Sequence, residues 1–98
     1  MRNGLVDDKD GNKVYYKEGR PHREDGPALE LAAGTTMWYR DGQYHREDGP
    51  SIVWPNGETS WHLKGERLGD NEGGFWNLWD RLTVEQRGSP TLLKYLPR

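Results

Sequence analysis

The amino-acid sequence predicts a mainly β protein, an antiparallel meander of stacked β-hairpin repeats with short C-terminal helices. Three observations carry this prediction: a 23-residue repeat through residues 10–69, glycine turns that divide each unit, and a helical spacing of apolar residues after Gly74. The chain of 98 residues suffices for one small domain, 1–98. Only 32% of it is hydrophobic but 11% is aromatic, so we expect Trp and Tyr to supply much of the core.

The repeat consists of units 10–32 and 33–55 and a truncated unit 56–69. The block His-Arg-Glu-Asp-Gly-Pro occupies residues 22–27 and recurs unchanged at 45–50. Two aromatic columns keep the same offset: Tyr15, Trp38 and Trp61 form one, and Tyr16, Tyr39 and His62 form the other. The pattern predicts three copies of one structural unit.

Each unit is divided by Xaa-Gly dipeptides, which favour two-residue hairpin turns. These dipeptides are Glu18-Gly19, Ala33-Gly34, Asp41-Gly42, Asn56-Gly57 and Lys64-Gly65. The predicted strands are Lys13–Lys17, Ala28–Leu31, Thr35–Arg40, Ser51–Trp54 and Thr59–Leu63. The connections are too short for parallel crossovers, so the sheet is expected to be antiparallel.

Side chains alternate between the two faces of a strand, and this alternation divides the aromatic columns. The first column is expected to face the core, and the column of Tyr16, Tyr39 and His62 is expected to be partly exposed. The predicted core residues are Tyr15, Trp38, Trp61, Leu29, Leu31, Ile52, Trp54, Trp79 and Leu82.

The C-terminal segment, 74–98, has a different pattern. Phe75, Leu78, Trp79 and Leu82 recur at helical spacing. Residues 83–86 fit a capping box that starts a second helix, and Ser89-Pro90 fits the start of a third over 91–96. Repeat arrays need covered ends, so we expect a helical cap on the last unit, with a docking element as the alternative.

Composition and motifs exclude several functional classes. The chain has no cysteine and a net charge of −2, which does not favour a nucleic-acid partner. It shows no membrane-spanning stretch or signal peptide, so we expect a cytoplasmic protein. We find no catalytic motif and expect neither enzyme activity nor a cofactor. His22 with Asp25 and His45 with Asp48 supply too few ligands for a metal site, and turn caps with local ion pairs are the favoured interpretation.

Residues 10–69 resemble the variant MORN-type repeat through the unit Trp38-Tyr39-Arg40-Asp41-Gly42 and the block at 45–50. Repeats of this kind occur in small bacterial and bacteriophage proteins. The resemblance implies a stack of β-hairpins that mediates protein or lipid contact. Its inserted His-Arg-Glu-Asp block distinguishes this chain from the standard eukaryotic pattern.

The function expected from the resemblance is a non-catalytic protein-binding module, phage-encoded, that binds and inhibits a host protein such as a defence component. The candidate partner-binding residues are Tyr16, Tyr39, His62, His22, Arg23, His45, Arg46, Glu47 and Asp48, with the outer side of the C-terminal segment as a further surface. Two alternatives stay open. One is a module that binds sugar, choline or a lipid headgroup in an aromatic groove between repeats, and the other is a self-assembling structural protein.

Overall fold

The computed structural model describes residues 3–97, which form ten strands and three helices. The expected limits 1–98 and 74–98 include residues 1, 2 and 98, which lie outside the described part. The elements in chain order are β1 Gly4–Asp7, β2 Lys13–Lys17, β3 Arg20–Pro21, β4 Leu29–Glu30, β5 Thr36–Met37, β6 Tyr39–Arg40, β7 Gln43–Tyr44, β8 Ile52–Val53, β9 Thr59–Leu63, β10 Glu66–Asp70, α1 Asn71–Arg81, α2 Val84–Arg87 and α3 Pro90–Leu93.

The strands form an antiparallel meander. The main sheet has the order β1-β2-β4-β5-β8-β9-β10, and β3 pairs with the far end of β2. In the middle unit the long first strand is interrupted at Trp38, so that β5 stays in the main sheet while β6 pairs with β7. The predicted class, mainly β with short C-terminal helices, is confirmed.

Two kinds of turn alternate along the repeat. Glu18, Asp41 and Lys64 have φ of 52°, 52° and 49° and are each followed by a glycine with φ near 80°, as expected for two-residue hairpin turns. The turns ending at Gly34 and Gly57 differ, because each glycine N–H donates to the carbonyl three residues back, on Leu31 and Trp54 at 2.8 and 2.9 Å. The prediction that Ala33-Gly34 and Asn56-Gly57 belong to the first kind is therefore wrong, since only their glycines have positive φ.

The strand β1 was not predicted from the sequence. It pairs with β2, with Val6 opposite Val14, and occupies the place that β4 and β8 have in the following units. The Asp8 carboxylate holds the next turn by accepting from the backbone N–H groups of Asp10 and Asn12 at 2.8 and 3.0 Å. These hydrogen bonds, that of Asn12 first, lower the pKa of Asp8.

The main apolar core lies where α1 packs against β9 and β10. Its buried members are Trp61, Leu68, Phe75, Leu78, Leu82 and Leu92. Trp61 is 2% exposed and meets the rings of Phe75 and Tyr95 edge-on, with centroids 5.7 and 5.8 Å away. Leu68 reaches this core as the extra residue of a β-bulge between Arg67 and Gly69.

The expected core residues fall into three groups. Ile52, Trp61 and Leu82 are buried. Half-buried positions are Tyr15, Leu29, Leu31, Trp38 and Trp79. Trp54 is 37% exposed, so its assignment to the core is wrong. The physical reason is that β8 ends at Val53, and Trp54 opens the following turn instead of continuing the alternation of the strand.

The helix starts follow the predicted capping chemistry. The Thr83 hydroxyl accepts from the Gln86 N–H at 3.2 Å while the Gln86 side chain accepts from the Thr83 N–H at 2.9 Å, which completes a capping box on α2. The Ser89 hydroxyl accepts from the Leu92 N–H at 3.3 Å and starts α3, which ends at Leu93 and is shorter than predicted. Within residues 3–97 no helix has the length and apolar character needed to cross a membrane.

Candidate functional site

The histidines of the repeated block connect one unit to the next. His22 Nδ1 accepts from the backbone N–H of Asp41, and His45 Nδ1 accepts from that of Lys64, both at 2.9 Å. Asp41 and Lys64 are the first residues of the hairpin turns in the following units. Because Nδ1 is an acceptor, the neutral imidazole of His45 carries its proton on Nε2, which faces Glu47 Oε1 at 3.3 Å. Each histidine therefore fixes the stacking of successive hairpins.

The arginines of the block hold their own unit together. The Arg46 guanidinium lies 3.8 Å from the centroid of the Trp38 ring, and Arg23 lies 4.0 Å from that of Tyr15. Arg46 also donates to Asp48 Oδ1 at 2.8 Å and to the Pro50 carbonyl at 3.2 Å. Arg23 repeats both contacts, with Asp25 at 3.1 Å and Pro27 at 3.2 Å. The arginine thus joins the aromatic column to the turn that follows the block.

The glycines of the block leave room for these arginines. A Cβ atom at Gly26 would lie 2.8 Å from Cζ of Arg23, and one at Gly49 would lie 2.6 Å from Cζ of Arg46. Neither glycine has a positive φ, so space and not backbone conformation explains the residue type. The six-residue identity between the two units therefore follows from one repeated packing arrangement.

The block leaves little imidazole or guanidinium surface for a partner. The side chains of His45 and Arg46 are only 4% and 8% exposed. His22 and Arg23 are also largely covered. The accessible groups are the carboxylates of Glu24, Asp25, Glu47 and Asp48. The predicted ridge of mixed charge is thus mainly an acidic edge.

In the column of Tyr16, Tyr39 and His62, only His62 is less exposed than expected. The Tyr39 and Tyr44 rings contact each other in a tilted arrangement with centroids 4.5 Å apart, and the Tyr44 and His62 rings do so at 4.9 Å. His62 is buried, while Tyr16 and Tyr39 are half-buried. Burial, with the Tyr44 hydroxyl as a second cause, raises the pKa of Tyr39. Tyr44 was missed because the aligned residues in the other units are Pro21 and Arg67, which hide it from the repeat pattern.

His62 of this column also pairs with the buried side chain of Ser51. Ser51 Oγ is 2.6 Å from His62 Nδ1 and also donates to the Ser60 carbonyl at 3.1 Å. Ser51 is 0% exposed, so a substrate has no access to its hydroxyl. The pair therefore connects β8 to β9 and offers no accessible nucleophile.

A groove of about 250 Å³ separates the second block from the helices α2 and α3. Trp38, Arg46, Glu47, Gln86 and Ser89 contribute to its lining, together with further groups of both charges. Arg40 also lines it, and its Nε is buried with no hydrogen-bond partner among residues 3–97. The mixture of charges selects no single class of ligand.

Two buried imidazoles predict a pH dependence of stability. Burial lowers the pKa of His45, helped by Arg40 and opposed by Glu47, and burial with Arg67 as the second cause lowers the pKa of His62. Unfolded histidines gain a proton near pH 6.5 while these two stay neutral in the fold. Their stabilisation is therefore complete above pH 6.5 and is lost as pH falls toward the lowered pKa values.

We expect the free energy of unfolding to fall between about pH 7 and pH 5.5, by up to about 1.4 kcal/mol per pH unit for each imidazole. Urea unfolding at a series of pH values measures this slope. In the His45→Asn variant the slope should be smaller. A free energy of unfolding that stays constant over this range contradicts the assignment.

The exposed apolar side chains concentrate in the C-terminal segment. Of the seven large hydrophobic residues exposed in the described part of the chain, five lie between positions 76 and 96. These five, here called the exposed apolar set, are Trp76, Val84, Leu93, Tyr95 and Leu96. Trp76 contacts the rings of Phe75 and Trp79 at 4.9 and 6.1 Å, and Arg87 lies 5.3 Å from the Trp79 ring. The C-terminal segment thus buries Phe75, Leu78, Leu82 and Leu92 in the core and leaves the exposed apolar set accessible.

Comparison with known proteins gives no relative: no protein-family model, curated protein or solved structure matches the chain. Within residues 3–97 there is also no group of three or more His, Cys, Asp or Glu side chains placed to hold a metal ion. Fold and site define the chain as an antiparallel β-repeat protein with a C-terminal helical segment.

Proposed function

We propose that this protein is a non-catalytic protein-binding module that contacts its partner through the exposed apolar set of the C-terminal segment. The observation that carries the proposal is the exposure of five large apolar side chains in a segment whose other large apolar residues pack into the core; the exposed ones are Trp76, Val84, Leu93, Tyr95 and Leu96. Exposed apolar groups that concentrate in one segment are typical of interaction sites.

The charge distribution indicates the chemistry of the partner. Residues 75–98 carry four basic and two acidic side chains, whereas residues 1–74 carry ten basic and fourteen acidic ones. A partner surface with an apolar centre and acidic side chains around it complements the C-terminal segment. The acidic edge of the repeats would repel the same partner surface.

The repeated block is a less suitable partner surface than the C-terminal segment. Its histidines and arginines are engaged in contacts within and between units, so they are poorly available to a partner. The buried Ser51–His62 pair likewise favours a non-catalytic role.

We further propose that the chain is a phage-encoded protein that inhibits a bacterial host protein in the cytoplasm. The support for this proposal is the resemblance of residues 10–69 to variant MORN-type repeats. The partner search therefore starts with bacterial lysates.

The test is quantitative capture of a bacterial protein by the immobilised chain, read by mass spectrometry. A double variant, Trp76→Ser with Leu96→Ser, should lose a partner that the unchanged chain enriches. The matched control is Leu5→Ser, because Leu5 is equally exposed, at 45%, but lies on β1. Equal capture by the double variant, or loss only with Tyr39→Ala, overturns the proposed surface. Concentration-dependent sedimentation of the unchanged chain that the double variant abolishes would assign the set to self-assembly instead.

A further inference from the structure

A second open cavity lies at the N-terminal end of α1, beside the turn that follows β8. The cavity measures about 520 Å³. Its walls come from the turn at Trp54, the first residues of β9, and the junction of β10 with α1. Neither the exposed apolar set nor the repeated block contributes to it.

Trp54 provides an uncovered aromatic surface to this cavity. It is 37% exposed, and within residues 3–97 its ring has no aromatic or cationic neighbour. The rings of Tyr15 and Trp38 differ, because Arg23 and Arg46 cover them. Trp54 therefore lines the cavity with a partly exposed ring that no arginine side chain covers.

The charged groups of the cavity are acidic. Trp54 donates its backbone N–H to the Glu58 carbonyl at 3.0 Å, which places these two residues opposite each other at the turn. The Glu58 carboxylate has no partner in the described part of the chain. Asp70 adds a second carboxylate, of which Oδ2 accepts from Arg67 at 2.6 Å. Among residues 3–97, no lysine, arginine or histidine lines the cavity.

The cavity wall is held in place by hydrogen bonds. Asn71 Oδ1 accepts from the Thr59 N–H at 2.9 Å, and Thr59 Oγ1 accepts from the Trp61 indole N–H at 3.0 Å. Asn56 Oδ1 accepts from the Glu58 N–H at 3.0 Å and so fixes the turn. Because Trp61 belongs to the buried core, the hydrogen bond from its indole N–H connects this wall to the core.

We propose that this cavity binds an organic cation, an ammonium or guanidinium head group that lies over the Trp54 ring and pairs with the Glu58 carboxylate. An aromatic face beside carboxylates is the arrangement that recognises such cations. The partial positive charge at the start of α1 opposes a cation, and the carboxylate of Glu72 in the first turn offsets it. The site is independent of the proposed protein-binding surface.

The test is isothermal titration calorimetry of the full chain with choline, Nα-acetyl-L-lysine amide and Nα-acetyl-L-arginine amide, which separate quaternary ammonium, primary ammonium and guanidinium sources. At least one should bind with a dissociation constant on the order of 1 mM. The neutral isostere of choline, 3,3-dimethyl-1-butanol, should bind at least about tenfold more weakly because it lacks the charge.

Two variants locate the site and one controls for the fold. Trp54→Ala and Glu58→Gln should each weaken binding about tenfold or more. Leu5→Ala shortens an exposed apolar side chain on β1, outside the cavity, and should leave binding unchanged. The proposal is overturned if none of the three cations binds, if the neutral isostere or methyl glucoside binds as well as the best cation, or if Trp54→Ala retains full affinity.

Discussion

The variant Gly74→Ala should unfold far more easily than the unchanged chain. Gly74 lies in α1 directly against the core, and a Cβ atom there would overlap Cδ1 of Trp61 and lie 2.6 Å from the Gly69 carbonyl oxygen. Trp61 is buried between Phe75 and Tyr95, and Gly69 is backbone, so neither can move aside without disturbing the core. We expect a loss of at least about 3 kcal/mol in the free energy of unfolding, measured by urea titration with tryptophan fluorescence.

Its matched control is the preceding residue. A Cβ atom at Gly73 meets nothing within 4 Å, so Gly73→Ala should stabilise the chain by about 0.5–1 kcal/mol through helix propensity alone. Both variants insert one methyl group into the same turn of α1. Equal stabilities of the two variants would contradict the close packing of α1 on Trp61.

Arg46→Ala is the second substitution expected to have a large effect. It should lower the free energy of unfolding by about 3 kcal/mol. It removes the guanidinium from the Trp38 ring and deletes the hydrogen bonds to Asp48 and the Pro50 carbonyl. A desolvated cation–π contact contributes about 2 kcal/mol, and hydrogen bonds to a charged group add to it.

The equivalent substitution in the first unit, Arg23→Ala, tests whether the loss of stability depends on how deeply the arginine is buried. Arg23 makes the same three contacts, but its side chain is 25% exposed against 8% for Arg46. Arg23→Ala should therefore cost less than Arg46→Ala in the same urea titration. No loss for either variant would show that the arginines do not hold their units together, and a larger loss for Arg23→Ala would contradict the expected dependence on burial.

The features that the sequence predicted well depend on local chemistry. The dipeptides at Glu18, Asp41 and Lys64 form two-residue turns because a glycine in second place accepts positive φ. The capping residues Thr83 and Ser89 start their helices because their hydroxyls accept backbone N–H groups three residues later. Such signals lie within a few residues of one another, although the dipeptides at Ala33 and Asn56 form the other kind of turn.

The features that were missed depend on contacts between distant residues. Arg46 and His45 have polar side chains, which composition assigns to the surface, but Trp38 and the turn at Lys64 cover them. Leu68 reaches the core only because a bulge changes the alternation of β10. Neither the covering ring nor the bulge is visible in a local pattern.

The strand β1 and the residue Trp54 illustrate two further limits. Val6 aligns with Leu29 and Ile52 at the repeat offset, and this alignment could have located β1. Trp54 lies two residues after Ile52, so the alternation of side chains along a strand predicts that both are buried on the same face. The strand β8 ends at Val53, however, one residue before Trp54. The candidate cation site was consequently not predictable, because Trp54 was assigned to the core.

The central structural claim is that the repeated block is a packing arrangement in which the glycine makes room for the arginine. Its most direct test is the double-mutant cycle of Gly49→Ala with Arg46→Ala, followed by urea unfolding. The methyl group at Gly49 would lie 2.6 Å from Arg46 Cζ and displace the guanidinium, so Gly49→Ala alone should cost nearly as much as Arg46→Ala. In the Arg46→Ala background the same methyl group should cost almost nothing. Additive losses in the double variant would contradict the claim.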